Sequence, residues 1–375
     1  MTSPSRAASR ETMQPSALEE REREALAKIE QVRAMPARFR AEQITMAHGA
    51  GGKAMQTLIQ GLLVPALASP SLERLDDAGI VTIDGLGMAL TTDSFVVRPI
   101  RFPGGSIGEL AVNGTVNDLA MTGARPMALT LSLVLEEGLP ASVLRAEVEA
   151  IARAAAAAGV EIVAGDTKVV ERGHADAMYI CTTGLGRMDP RAHLSPRSLR
   201  PGDRILVSGP IGNHGTAIML SRGEFELDAA IESDTMPLWP AVDALLEHVG
   251  PHLHCLRDAT RGGVASVLNE LAAASGVAVL VRERDVPVRP EVAGACEILG
   301  IDPMYVANEG RLVAIVAAEG ADAALAALRS APGCDEAAVI GEVRSEPAGM
   351  VLVQTEFGGK RVMDLLVGDP LPRIC

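Results

Sequence analysis

The chain is almost without aromatic side chains. Its 375 residues include five Phe, two Tyr and one Trp, 2% in all. A core must therefore be packed from Ala, Val, Leu, Ile and Met, and with a hydrophobic share of 48% there is enough to do so. Single-stranded nucleic acid is bound on aromatic stacking platforms, which this composition does not supply. A positive balance is also missing. The 34 Lys and Arg face 48 Asp and Glu, a net charge of −14, which opposes a phosphate-backbone partner. Nucleotides remain compatible, because a bound Mg2+ reverses the field locally. No run approaches the roughly 18 apolar residues of a membrane span. The Ala-rich stretch 152–159 is short and holds Arg153. No apolar secretory segment precedes the body of the chain, so a cytoplasmic location is expected.

Cysteine is sparse and unpaired in pattern. The five are Cys181, Cys255, Cys296, Cys334 and Cys375, with no CxxC among them. An odd, scattered set reads as reduced thiols. His252, His254 and Cys255 are too tightly spaced for a zinc knuckle. The first four cysteines read as core residues. Cys375 differs, because it is the last residue, after Leu371-Pro372-Arg373-Ile374. A prenylation signal needs three residues beyond the cysteine, so that reading fails. A tethered terminal thiol is either incidental or a carrier, loaded in one place and delivered in another. Its surroundings decide which, since thiol reactivity follows microenvironment.

Residues 1–42 are rich in Ser, Pro, Arg and Glu and read as an appendage. Either a solvated helix over 16–34 or disorder suits it. From residue 43 the texture becomes that of an α/β (α+β) protein in two parts, 43–195 and 200–364, followed by a mobile tail, 365–375. In the first part, 79–84 and 88–93 read as strands. Ser106 and Glu109 form an S-x-x-E capping box for a helix ending near Gly123. A buried strand is expected over 127–135 and a helix from Pro140 to Gly159. Short strand 162–164 then runs into Gly165-Asp166-Thr167, and 176–187 is a further strand. Residues 189–203 read as a linker. Beyond it, strands at 204–208, 277–281, 312–317 and 337–343 alternate with helices at 215–222, 262–274 and 321–329. A hairpin over 351–364 closes the second part.

Carboxylates recur at the ends of these elements. Asp77 precedes a strand, Asp93 ends one, Asn117-Asp118 lies on the helix begun by Ser106, and Asp166 follows a glycine. Taken singly, each also suits a cap, a turn or a solvated surface. Together they suit Mg2+, which takes hard oxygen ligands and shares them with phosphates. Three glycine-rich segments, 48–53, 101–105 and 261–263, allow backbone N–H groups to approach an anion closely. None is a Walker A loop or a dinucleotide fingerprint, and each also reads as a plain turn. Asp166-Thr167-Lys168, Arg257-Asp258-Ala259-Thr260-Arg261 and Asn308-Glu309-Gly310-Arg311 are polar clusters between apolar strands. They suit a cleft with proton-transfer groups or a structural ion-pair network.

Nine segments resemble one family. ITMAHGAGGKAMQTLI, TTDSFVVRPIRFPGG, VNDLAMTGARP, LVLEEGLP, GDTKVVERG, SGPIGNHG, LRDATRGGVASVLNE, NEGRLV and the terminal PRIC are similar to HypE, the carbamoyl dehydratases of [NiFe]-hydrogenase maturation. That family lies within the PurM-like (aminoimidazole ribonucleotide synthetase-like) ATP-binding superfamily. The likeness spans about 44–375. One departure is Gly79 after Asp76-Asp77-Ala78, where a second Ala is more usual.

The resemblance implies a two-domain PurM-like fold, ATP and Mg2+ as cofactors, and Cys375 as carrier. The carbamoyltransferase HypF would load a carbamoyl group on its thiol. ATP-driven dehydration would turn the thiocarboxamide into a thiocyanate, and the HypC–HypD complex would receive the cyanide. Asp77, Asp93, Asp118 and Asp258 would hold Mg2+ around the triphosphate. Asn117, Asp166 and Thr167 would position nucleotide or metal, and Lys168 and Glu309 would act at the thiocarboxamide. The superfamily also implies a homodimer through the N-terminal parts, with strands 79–83 and 127–135 either lining it or packed in the core. Residues 365–375, extended, reach roughly 36 Å, enough to enter a cleft or meet a partner, and Pro370 and Pro372 stiffen them. Selenophosphate synthetase-like and thiamine-monophosphate kinase-like enzymes would share the Asp set but not the carrier cysteine. A non-catalytic scaffold would bind nucleotide without altering Cys375.

Overall fold

The computed structural model describes residues 37–223, 230–367 and 373–375. The expected helix over 16–34, Pro370 and Pro372 lie outside them. Residues 37–375 form one compact unit. Its strands, in chain order, are β1 (Gly79–Ile83), β2 (Leu86–Phe95), β3 (Arg101–Phe102), β4 (Gly105–Ser106), β5 (Ala124–Glu136), β6 (Glu161–Val170) and β7 (Met178–Met188). They continue with β8 (Arg204–Val207), β9 (Leu253–Asp258), β10 (Ala278–Arg282), β11 (Leu312–Val316), β12 (Ala338–Arg344), β13 (Val351–Gln354) and β14 (Lys360–Val362). Two sheets result. The first has the order β1-β2-β7-β5-β6, the second β14-β13-β10-β12-β8-β11-β9. Pairing is antiparallel except for β5 with β6 and β10 with β13.

The helix Ile107–Met121 packs against β2, β5 and β7 of the first sheet and against β9 of the second. Almost every side chain on it is buried. Its sequence lacks a polar face, as expected of a helix enclosed on all sides. Each buried Leu or Ile contributes about 1.5–3 kcal/mol, and the helix feeds three hydrophobic clusters that reach both sheets. Its buried polar groups are mostly partnered, Asn113 Oδ1 being an exception. Asn113 Nδ2 donates to Thr235 Oγ1 at 3.1 Å, and Thr115 and Thr182 hydroxyls meet at 2.5 Å.

The start of this helix corrects the expected capping box. Ser106 is the N-cap residue, but its hydroxyl makes no cap bond. Glu147, wholly buried on the helix Ala141–Ala158, takes over: its Oε2 accepts the Gly108 N–H at 3.1 Å. A carboxylate arriving from another helix satisfies the same orphan donor and also favours the helix dipole. Glu109 instead faces Arg153 at 4.0 Å. At the other end of Ala141–Ala158, Gly159 closes the helix at φ 68, a left-handed cap that glycine adopts without strain.

The helices Trp239–Val249 and Pro290–Leu299 were not foreseen, and β6 runs far beyond the expected 162–164. Helices Trp239–Val249 and Ala321–Ser330 share one core cluster with one face of the second sheet, and helix Gly263–Ser275 shares another with the opposite face. Among the described residues, the first sheet is covered on one face only. Its other face presents Val81, Ile83, Leu86 and Leu90, each at least two-fifths exposed. Cys255, Cys296 and Cys334 are core residues, whereas Cys181 is half-buried on that open face. No helix among the described residues is long and apolar enough to cross a membrane.

Candidate active site

A cleft of about 830 Å³ lies where the two sheets and the chain terminus meet. The loop before β1 brings Asp77, β2 brings Asp93, the central helix brings Asp118 and the end of β9 brings Asp258. Glu309 and Cys375 complete the rim. Five carboxylates and the terminal thiol, far apart in sequence, thus share one space. Ile59, Val267 and Ala273 add apolar side chains to its lining.

The acids are held singly. Asp77 Oδ1 accepts from Arg257 Nη1, and Arg257 Nη2 donates to Leu75 O at 2.6 Å. Thr91 Oγ1 donates to Asp118 Oδ2 at 2.9 Å, and the Ser94 N–H to Asp93 Oδ1 at 2.7 Å. Asp258 Oδ2 and Glu309 Oε1 are buried without a hydrogen-bond partner. Burial raises the carboxyls of Asp77 and Asp93 above the usual range, against the pull of Arg257 and Arg261. Burial raises Asp118, Asp258 and Glu309 much further, and each is raised again by its acidic neighbours. The acids crowd one another more than Arg257 and Arg261 offset, so a further cation would relieve them. Among the described residues no three of these groups close into a ready-made metal-binding set. Separated acids with unpartnered oxygens suit Mg2+ that arrives with phosphates and keeps waters in its shell.

The chain terminus lies inside this cleft. Val96 N donates to Cys375 O at 3.0 Å and Arg98 N to Arg373 O at 3.3 Å, beside the end of β2. Arg373 pairs with Asp176. Arg261 Nη2 donates to Cys375 Sγ at 2.7 Å. The sequence marked Arg261 only as part of a glycine turn and a charged cluster. Gly262 and Gly263, at φ 82 and 62, begin the helix Gly263–Ser275 just behind it. A Cβ on Gly262 would stand 2.1 Å from Ser266 Oγ, so this close turn requires glycine.

Burial pushes the Cys375 thiol up to about 12, against the opposing pull of Arg261. A thiol on a free tail titrates near about 8.5. The docked state thus holds its proton more tightly. Its advantage is fully present below the free-tail value and is lost as pH rises toward about 12. At pH 7, Cys375 in the intact chain should be alkylated at least ~100-fold more slowly than in a free peptide of the same terminal sequence. The gap should narrow as the pH rises past the free-thiol value. The mass of the C-terminal peptide after timed alkylation measures both rates, and equal rates at pH 7 would mean an undocked tail.

Not every expected residue reaches the cleft. Asn117 is buried beneath it. Its Nδ2 donates to Met236 O at 3.0 Å and Glu309 O at 3.2 Å, and its Oδ1 accepts Leu238 N–H at 2.7 Å. Its amide grips the backbone that carries Glu309 and is not free for nucleotide or metal. Asp166, Thr167 and Lys168 lie on β6, an exposed edge strand. β6 stands three strand spacings from β2, about 14 Å. In register, Asp93, Thr182, Leu131 and Gly165 form one row and Ser94, Cys181, Ser132 and Asp166 the next. Successive residues face opposite ways, so Asp166 and Lys168 project from the open face while Asp93 faces the core side. Lys168 Nζ donates to Asp166 Oδ2 at 2.5 Å, with both side chains about two-thirds exposed. In its own chain, Lys168 is therefore not beside Glu309.

The sequence that builds these two sheets matches the AIR synthase related proteins. The N-terminal domain model of that family matches residues 75–188 and the C-terminal domain model residues 200–354. A carbamoyl dehydratase HypE of Rhodobacter capsulatus is 47% identical over 340 residues, covering 90% of this chain and 99% of the relative. A solved HypE–HypF complex superposes with TM-score 0.78 at 42% identity, over 82% of this chain and 99% of that one. HypE solved with ATP gives TM-score 0.74 at 45% identity, over 89% and 100%. The chain belongs to the HypE family of carbamoyl dehydratases.

Proposed function

We propose that the chain is an ATP-dependent dehydratase that carries its substrate on Cys375, turning a thiocarboxamide into a thiocyanate that supplies cyanide to hydrogenase iron. The observation that carries this reading is the position of the Cys375 thiol, inside the acidic cleft and hydrogen-bonded to Arg261. A kinase for a diffusible substrate has no use for its own terminus there.

The amide oxygen of the S-carbamoyl group attacks the γ-phosphorus of ATP, and the bond to the bridging oxygen breaks, releasing ADP. The nitrogen loses one proton. The C–O bond then breaks, the departing phosphate takes the second N–H proton to leave as inorganic phosphate, and carbon and nitrogen become triply bonded. Phosphate replaces hydroxide as leaving group, which is why ATP is consumed. Glu309, with an unpartnered oxygen, takes a proton from the nitrogen. Arg261 holds the sulfur. Asp77, Asp93, Asp118 and Asp258 hold Mg2+, whose charge neutralises the phosphates and the crowded acids. Ile59, Val267 and Ala273 offer the nucleotide base an apolar lining.

Lys168, with Asp166, is supplied by a second copy of the chain in a homodimer. The half-exposed apolar face of the first sheet and its open β6 edge are the surface for it. The tail leaves the cleft to be loaded by the HypF carbamoyltransferase and to deliver to HypC–HypD in the cytoplasm. A relative's solved complex with HypF supports the first contact.

Phosphate release tests this reading. In a single turnover with Mg-ATP, carbamoyl-loaded protein should release one phosphate per loaded Cys375. Unloaded protein should release at least ~100-fold less over the same time. Equal release from both would detach ATP hydrolysis from the carried group.

A further inference from the structure

His214 is wholly buried on the helix Asn213–Ser221. Its ring stands edge-on to Phe102, with centroids 5.5 Å apart. Nε2 lies 2.6 Å from Ile374 O, and Nδ1 lies 2.8 Å from Ser233 Oγ. Ile374 O can only accept, so Nε2 carries a proton. Ser233 Oγ already accepts the Thr235 N–H at 3.2 Å, leaving its own proton for Nδ1. The tautomer is thus inferred from the partners, and burial, which lowers this imidazole's pKa against the pull of Asp234 and the Ile374 carbonyl, keeps it neutral.

The residues that follow Ser233 grip the catalytic side of the cleft. Asp234 Oδ1 accepts the Glu309 N–H at 2.9 Å. Thr235 Oγ1 accepts from Asn113, and Met236 O from Asn117. The segment is itself clamped, since Ser233 N donates to Pro103 O at 2.8 Å. A Cβ on Gly104 would stand 2.7 Å from Ser233 N. One short segment therefore ties the receptor of the tail to the backbone of Glu309.

We propose that His214 is a positioning residue for the dehydration: its Nε2–H seats the Ile374 carbonyl, sets Cys375 against Arg261 and Glu309, and couples tail docking to Glu309 placement through Ser233–Met236. Val96, Arg98 and Arg222 hold the tail at the carbonyls of residues 373 and 375, and His214 supplies the side-chain donor to the residue between them. Without that donor a buried carbonyl is left unpaired, and the docked tail loses about ten-fold or more in population.

The catalytic part of this proposal rests on the dehydratase reading, and the docking part does not. The experiment is timed alkylation of Cys375, read by C-terminal peptide mass, in the parent, His214→Ala, His214→Gln and Ser233→Ala, without nucleotide. Alkylation should rise about ten-fold in His214→Ala. It should fall back toward the parent in His214→Gln, whose amide offers a donor, and rise in Ser233→Ala, where the tautomer is no longer held. Single-turnover dehydration of pre-loaded protein should fall by a similar factor in His214→Ala, while carbamoyl loading stays equal or quickens. Unchanged alkylation in a folded His214→Ala protein overturns the proposal. Should that variant fail to fold, unchanged alkylation in both His214→Gln and Ser233→Ala does so. Faster alkylation in His214→Ala, with no dehydration even by the parent, keeps the docking role and removes the dehydratase reading.

Discussion

Cys375→Ala is expected to abolish thiocyanate formation, a loss of at least ~1,000-fold, because no other group carries the substrate. The variant should still bind Mg-ATP with near-parent affinity, since the carboxylates and the apolar lining are untouched. The change removes only a sulfur at the chain terminus, so melting should shift by no more than a few degrees. Cyanide product is measured after loading with the carbamoyltransferase and carbamoyl phosphate. The remaining cysteines provide no bypass: Cys255, Cys296 and Cys334 are buried in the core, and burial raises each thiol. Cys181 lies on the open sheet face, in the row of Asp166. Product retained in Cys375→Ala would end the carrier account, even if ATP were still bound.

Two inactive variants should restore activity when mixed. Lys168→Ala and Cys375→Ala are each expected to be inactive. Lys168 lies about three strand spacings from the acidic cleft of its own chain, and its side chain leaves the opposite face of the sheet. In a mixed dimer, the Cys375 of one chain meets the Lys168 of the other. Random exchange of subunits makes about half the dimers mixed, each with one competent site, so recovery should approach about a quarter of parent activity. Native mass spectrometry confirms that mixed dimers form. No recovery with mixed dimers present would place Lys168 beside the Cys375 of its own chain and require β6 to move.

Much of the fold was legible because its signals are local. Alternating apolar strands, Gly159 at a helix end and a hairpin after residue 350 follow from short-range chemistry. The capping box at Ser106 misled because Glu147, thirty-nine positions on from Gly108, satisfies the helix start instead. That competition appears only when the two helices pack. The helix Pro290–Leu299 hid behind a proline that reads equally as a break or as a first helical residue.

The site was legible in its residues but not in their convergence. Asp77, Asp93, Asp118, Asp258, Glu309 and Cys375 line one cleft. Asn117 sits on the same helix as Asp118 but points one position away, into backbone groups that support Glu309. Asp166 and Lys168 read as partners of Asp93 until the strand order places β6 at the far edge. No local pattern encodes strand order. His214 carried no sequence signal beyond its place in SGPIGNHG, because its partner is the main chain of the last residues.

The most direct test of the account is the intact mass of the peptide ending in Cys375. Carbamoyl-loaded protein is divided and incubated with and without Mg-ATP. The account predicts a carbamoyl adduct on Cys375 that loses the mass of one water only when Mg-ATP is present. A carbamoyl adduct that persists unchanged with Mg-ATP would contradict it and place the dehydration elsewhere.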